Sequence, residues 1–204
     1  MNLLFHRTQR PHNRMITMAK ILHVATSALF LVCGILMITI QNWEASLRFI
    51  LVGICHLLIG GASILGYFSN DVYRLAFQTD FAMGIFNAII GVLLVLVPGK
   101  LFILPCAIGI MAVMDGACKS QISFEGYQFG LSMWFLVLIS ALAEIGCGIA
   151  LIILTVLETP LKVLAGVTMG VVGIVNIWTT MYMVHRSNGA KRPEETLSER
   201  SEEP

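Results

Sequence analysis

The chain has 204 residues, a net charge of +1, 57% hydrophobic residues and only 12% charged ones. An ordinary soluble domain carries about 25% charged residues, so the composition argues against a water-soluble fold. The charge is too small, and its basic residues too scattered, for a nucleic-acid interface.

The pattern along the chain is that of a membrane domain with polar ends: a basic segment at 1–18, a membrane domain at 19–184, and a polar tail at 185–204 that has too little hydrophobicity to fold. The basic start followed by an apolar run has the order of a signal peptide. The run is about 20 residues long and lacks an A-x-A-like exit, so it reads as a first membrane helix. Met15 and Met18 shortly before it allow a later translational start.

A bilayer crossing takes about 20 apolar residues. Six segments qualify: 19–40, 47–68, 79–98, 101–119, 130–156 and 161–184. The links inside successive pairs are short (Gln41 to Ser46, Gly99 to Lys100, Leu157 to Pro160), and those between pairs are longer and more polar (Ser69 to Gln78, Ser120 to Phe129). The expected fold is therefore all-α, a polytopic membrane protein with six transmembrane helices as three repeated helical hairpins, at about 19–68, 79–119 and 130–184. Pro98 and Gly99 close the third helix, Thr159 and Pro160 open the sixth, and Pro105 near the start of the fourth predicts at most a kink. Trp43, Trp134 and Trp178 fall where interfacial rings anchor.

Lys and Arg divide unevenly between the two sides of an even number of spans. The ends and longer links hold ten (Arg7, Arg10, Arg14, Lys20, Arg74, Lys119, Arg186, Lys191, Arg192, Arg200), and the short links hold three (Arg48, Lys100, Lys162). Both termini are expected in the cytoplasm.

An internal repeat fixes the register. Gly34, Gly91 and Gly148 stand 57 residues apart, each late in the first helix of a pair. Each is followed 18 or 19 residues later by glycines seven apart: Gly53 and Gly60, Gly109 and Gly116, Gly166 and Gly173. A small residue lies seven before each leading glycine (Ser27, Gly84, Ala141) and a variable one four before it (Phe30, Asn87, Glu144). Between the paired glycines sit His56, Ala112 and Met169. Positions i, i+3 and i+7 share a helix face. Lipid is as apolar as leucine, so membrane helices associate by close packing over small residues, and the glycine faces are expected to meet. A flexible pore or hinge is the alternative use of the same glycines.

Among polar groups, Glu144 stands mid-helix, where a carboxyl must be protonated, paired or hydrated. His56 and Asn87 occupy related repeat positions at similar depth, so pseudo-symmetry predicts a midplane cluster of His56, Asn87 and Glu144. Its simpler use is an interhelical clamp, and its functional use is a proton-responsive site, since histidine titrates near neutrality. Asp115 and Lys119, four apart, read as a helical ion pair at the end of the fourth span, with Lys119 reaching the headgroups. His23 and Asn176 read as interfacial or helix-bonding groups.

Five cysteines (Cys33, Cys55, Cys106, Cys118, Cys147) lie in apolar segments without CxxC or nearby histidine spacing, so they read as small buried hydrophobes. The chain lacks G-x-S-x-G, H-E-x-x-H and a phosphate-binding glycine loop. No enzyme activity, metal or cofactor is expected. The lipid bilayer is the expected partner, and a homo-oligomer is compatible with the sequence.

The paired-helix repeat with G-x6-G in each second helix, GICHLLIG, GIMAVMDG and GVTMGVVG, and the segment GVLLVLVPG ending at the helix-closing Pro98, resembles the HdeD family of acid-resistance membrane proteins over residues 19–184. The position of Pro98 is Gln41 in the first repeat and Thr155 in the third, so one repeat has the typical form. The resemblance implies a bacterial inner-membrane protein with a role in acid or envelope stress and brings no catalytic residues. A small proton-linked transporter or channel is the alternative, and a scaffold recruiting a partner through its tail is a third class.

Overall fold

Long apolar runs separated by polar or helix-breaking stretches resolve into six helices among the described residues. These are α1 (Asn2–Thr39), α2 (Ala45–Tyr67), α3 (Asp80–Leu96), α4 (Ile103–Gln128), α5 (Trp134–Val156) and α6 (Lys162–Gly189). The computed structural model describes residues 2–40, 44–68, 80–98, 102–128, 130, 132–157 and 162–189. Trp43, Gly99, Lys100, Thr159, Pro160, the link 69–79 and the tail beyond 189 lie outside the described residues.

Five of the helices are long and apolar enough to cross a membrane. The other, α3, has 17 residues, at the bottom of the roughly 17–25 that a crossing takes. The chain is a polytopic helical membrane protein. Pro98 stands just past the end of α3, and Pro105 falls in the first turn of α4, where few backbone bonds are forfeited.

Several boundaries differ from the sequence reading: α5 begins at Trp134 and not at 130, and α6 continues to Gly189, so the first residues of the stretch read as an unfolded polar tail extend the last helix. Helix α1 begins at Asn2, so the basic segment is continuous with the first span. Helix α4 runs to Gln128, through the stretch 120–129 read as a polar link. Its last turns are polar yet helical, with Gln121 Nε2 donating to Glu125 Oε1 at 3.0 Å. The chain then reverses at Gly130, whose φ of 72° suits a residue without a Cβ.

The tightest packing joins successive repeats instead of the two helices of a hairpin. It pairs α2 with α3, α4 with α5, and α6 with α1. A Cβ on Gly91 would come within 2.8 Å of the carbonyl oxygen of Gly53, one on Gly148 within 2.6 Å of that of Gly109, and one on Gly34 within 2.6 Å of that of Gly166. Seven residues along, Gly60 meets Gly84, Gly116 meets Ala141 and Gly173 meets Ser27, at 2.7, 2.7 and 2.9 Å from the facing carbonyl oxygens. The residue order runs oppositely in the two partners, so every seam is antiparallel. All nine glycines of the repeat therefore sit where backbones touch, and the last repeat closes on the first. The result is a ring of three like units about a pseudo-threefold axis along the helices.

The interior of this ring has two halves. Toward the short links it is filled mainly by apolar side chains, among them Cys33, Met37, Phe49, Val52, Leu94, Ile108 and Leu151, and the buried Thr155 and Thr168 hydroxyls there donate to carbonyls of their own helices. Toward the end where both termini emerge it is polar, with buried Ser27, Ser63, Lys119, Ser123, Thr179 and Thr180.

Candidate functional site

The pseudo-threefold axis brings six repeat-equivalent side chains to the interior, and all six are buried: Phe30, His56, Asn87, Ala112, Glu144 and Met169. At the α2–α3 seam this pairs His56 with Asn87, Nδ1 to Oδ1, at 2.8 Å. Asn87 Nδ2 donates to the Met83 carbonyl at 2.9 Å, which turns Oδ1 toward the imidazole. An oxygen there accepts, so Nδ1 carries the proton and Nε2 of the neutral ring is a bare acceptor. The Phe30 ring packs edge-on to His56 with centroids 5.2 Å apart.

At the α4–α5 seam Ala112 is too small to fill the corresponding position, and Glu144 finds a different partner. Lys119 Nζ donates to Glu144 Oε1 and Oε2 at 2.7 and 2.8 Å, and to Asp115 Oδ2 at 2.7 Å. Glu144 is 0% exposed and Lys119 4%. The expected three-residue cluster is thus divided, with His56 and Asn87 bonded to each other and Glu144 held by Lys119. The reading of Lys119 as a headgroup-reaching residue is corrected too: α4 continues nine residues beyond it, so its ammonium turns inward. Three residues after Gly116, it shares the seam face of Gly109, Ala112 and Gly116. The same position in the other repeats holds Ser63 and Asn176, and this recurrence of polar residues is the signal by which Lys119 is recognisable in the sequence.

The two polar groups border one cavity of about 60 Å³, lined by His23, His56, Ser63, Asn87, Asp115, Lys119, Asn176, Thr179 and Thr180 among others. His23 and Asn176 therefore face this interior. Among the described residues His56 Nε2 and Thr179 Oγ1 have no hydrogen-bond partner. The space exceeds the roughly 10–15 Å³ that one water needs, so the cavity has room for a small polar ligand. No group of three or more His, Cys, Asp or Glu side chains able to hold a metal is present among the described residues. Trp134 opens α5 and packs against Tyr127, while Trp178 stacks on Tyr182, whose hydroxyl accepts the Met133 N–H at 3.1 Å.

Fold and site together define a helical membrane protein whose cavity and buried ionisable groups lie toward the end of the bundle bearing the termini. Residues 25–96 match the family model described as a short repeat of unknown function (DUF308). That stretch takes in the C-terminal part of α1 and all of α2 and α3, and hence the α2–α3 seam with His56 and Asn87. No curated protein matches the chain, and no solved structure does.

Proposed function

We propose that this is a non-enzymatic multi-pass protein of the bacterial inner membrane that contributes to tolerance of acid or envelope stress, with both termini in the cytoplasm. The observation that carries the reading is the Asp115–Lys119–Glu144 group, three ionisable side chains bonded together inside a membrane-spanning bundle. Charges at that depth are costly and are kept where they serve a purpose. Here Lys119 joins α4 to α5 through its bonds to Glu144, while Asp115 holds the same ammonium from within α4, so protonation of Glu144 weakens the link between the two helices. The acid- or envelope-stress setting is what the resemblance to the HdeD family implies; the match over residues 25–96 is to a short repeat of unknown function and supports the repeat alone. For the orientation, discounting buried Lys119 still leaves nine basic residues on the terminus side against three on the other.

The test is a deletion strain challenged with acid and complemented with wild type, Glu144→Gln or Lys119→Met. Loss of survival on deletion, rescue by wild type and failure of both variants at normal protein abundance is the expected result. Unimpaired survival of the deletion strain removes the reading.

The cavity favours a second reading, a small proton-linked transporter. A transporter needs a polar route reaching both faces, whereas the short-link half of this interior is filled mainly by the apolar side chains named above. The first reading is therefore preferred.

A further inference from the structure

Three features of the cavity define what it would hold. The first is charge. The ionisable groups facing it or bonded to its lining are His23 on α1, His56 on α2, Asp115 and Lys119 on α4, and Glu144 on α5. Lys119 is one ammonium bonded to two carboxylates, to Glu144 through both oxygens and to Asp115 through Oδ2 alone, so the partly exposed Asp115 carboxylate retains acceptor capacity for a cation. The second is hydrogen-bond polarity. His56 Nδ1 is committed as a donor to Asn87 Oδ1, so the unpartnered Nε2 offers a lone pair. The unpartnered Thr179 hydroxyl can accept as well, and Ser63, Asn176 and Thr180 add further oxygens to the lining. The third is size, about 60 Å³, enough for a small ion and a water or two.

We propose that this cavity binds one ammonium ion, a small monovalent cation that itself donates hydrogen bonds, between His56 and Asp115. An alkali cation has the charge but no hydrogen to give, and hard cations prefer oxygen shells to an imidazole nitrogen. Entry is from the end of the bundle bearing the termini, because the other half of the interior is mainly apolar. The site does not rest on the acid-stress reading: a deletion strain that tolerates acid would remove that reading and leave binding to the purified protein unaffected.

The experiment follows thermal unfolding of the full-length protein in detergent micelles while ammonium chloride or potassium chloride is added at constant ionic strength. Potassium is close to ammonium in size, so charge and bulk are matched. A charge-assisted hydrogen bond distinguishes the two, and ammonium is expected to raise the unfolding temperature saturably at about one-tenth or less of the potassium concentration required. Asp115→Asn removes this carboxylate and leaves the Lys119–Glu144 pair in place, so this variant should fold and lose the response. Ammonium without effect on the wild-type protein overturns the proposal. Equal responses to potassium and ammonium, or a response fully retained in Asp115→Asn, overturn it as well. The comparison of the two salts on the wild-type protein stands even if a variant fails to fold.

Discussion

Lys119 and Glu144 meet across the α4–α5 seam through two hydrogen bonds of 2.7 and 2.8 Å, with neither side chain appreciably exposed. Each neutralises a charge that neither could carry alone at this depth. Asp115, one helical turn before Lys119 and partly exposed, adds a third bond from outside the seam.

Removing one partner of such a pair leaves an uncompensated buried charge, which costs about 3–5 kcal/mol. Lys119→Met is expected to lose stability on that scale, measured by denaturant titration in micelles. The double variant Lys119→Met, Glu144→Gln should regain most of the loss, because no charge is then left in the seam. A double variant as unstable as the single one would show that packing around Lys119, not its charge, holds the helices together.

The glycine seams make a sharper structural prediction. At Gly34 a methyl would lie 2.6 Å from the Gly166 carbonyl oxygen and 2.9 Å from the Gly170 nitrogen, both backbone atoms that cannot swing aside. Gly34→Ala should therefore cost about 1–3 kcal/mol. At Gly61 and Gly146 nothing lies within 4 Å, so alanine there should be neutral, or stabilising by up to about 1 kcal/mol through helix propensity. Unfolding of the three variants side by side checks this, and similar behaviour of all three would contradict the seam assignment.

Cys33 and Cys55 join α1 to α2 deep in the apolar half, with the sulfurs 3.6 Å apart in a thiol hydrogen bond. A disulfide requires about 2.0 Å between sulfurs, and this pair is already in direct thiol contact. A membrane-permeant thiol oxidant is expected to link these two in preference to any pair involving Cys106, Cys118 or Cys147. Peptide mapping of the oxidised protein would read out the pairing.

The sequence carries the spans and the repeat register plainly, because lipid gives helices no hydrophobic reason to associate and the packing must be written in small residues. Gly34, Gly91 and Gly148 with their paired partners were legible for that reason. Which helices share a seam was less so. A short link such as 40–44 makes α1 and α2 neighbours, but the face bearing Gly53 and Gly60 turns away from α1 toward α3. The site was half legible. Repeat arithmetic groups Phe30, Asn87 and Glu144, all buried here, yet it is blind to a long side chain reaching across from the facing helix. Lys119 was missed as that partner because the polar run after it suggests a loop, although helices tolerate polar residues once they leave the hydrocarbon.

The third seam suggests how far the His56–Asn87 pair is structural. At the α6–α1 junction the corresponding positions are Met169 and Phe30, both apolar and buried, so this architecture accepts a seam with no polar pair. Asn87→Leu alone strands the His56 N–H and should cost about 1–3 kcal/mol. Replacing both partners, His56→Met with Asn87→Leu, removes the stranded group and makes the α2–α3 seam resemble the α6–α1 one, so stability should return to near the wild-type value. If the double variant is stable in micelles yet fails to restore acid survival to a deletion strain, the pair is retained for function. If it is stable and also restores survival, the pair serves only to order the helices.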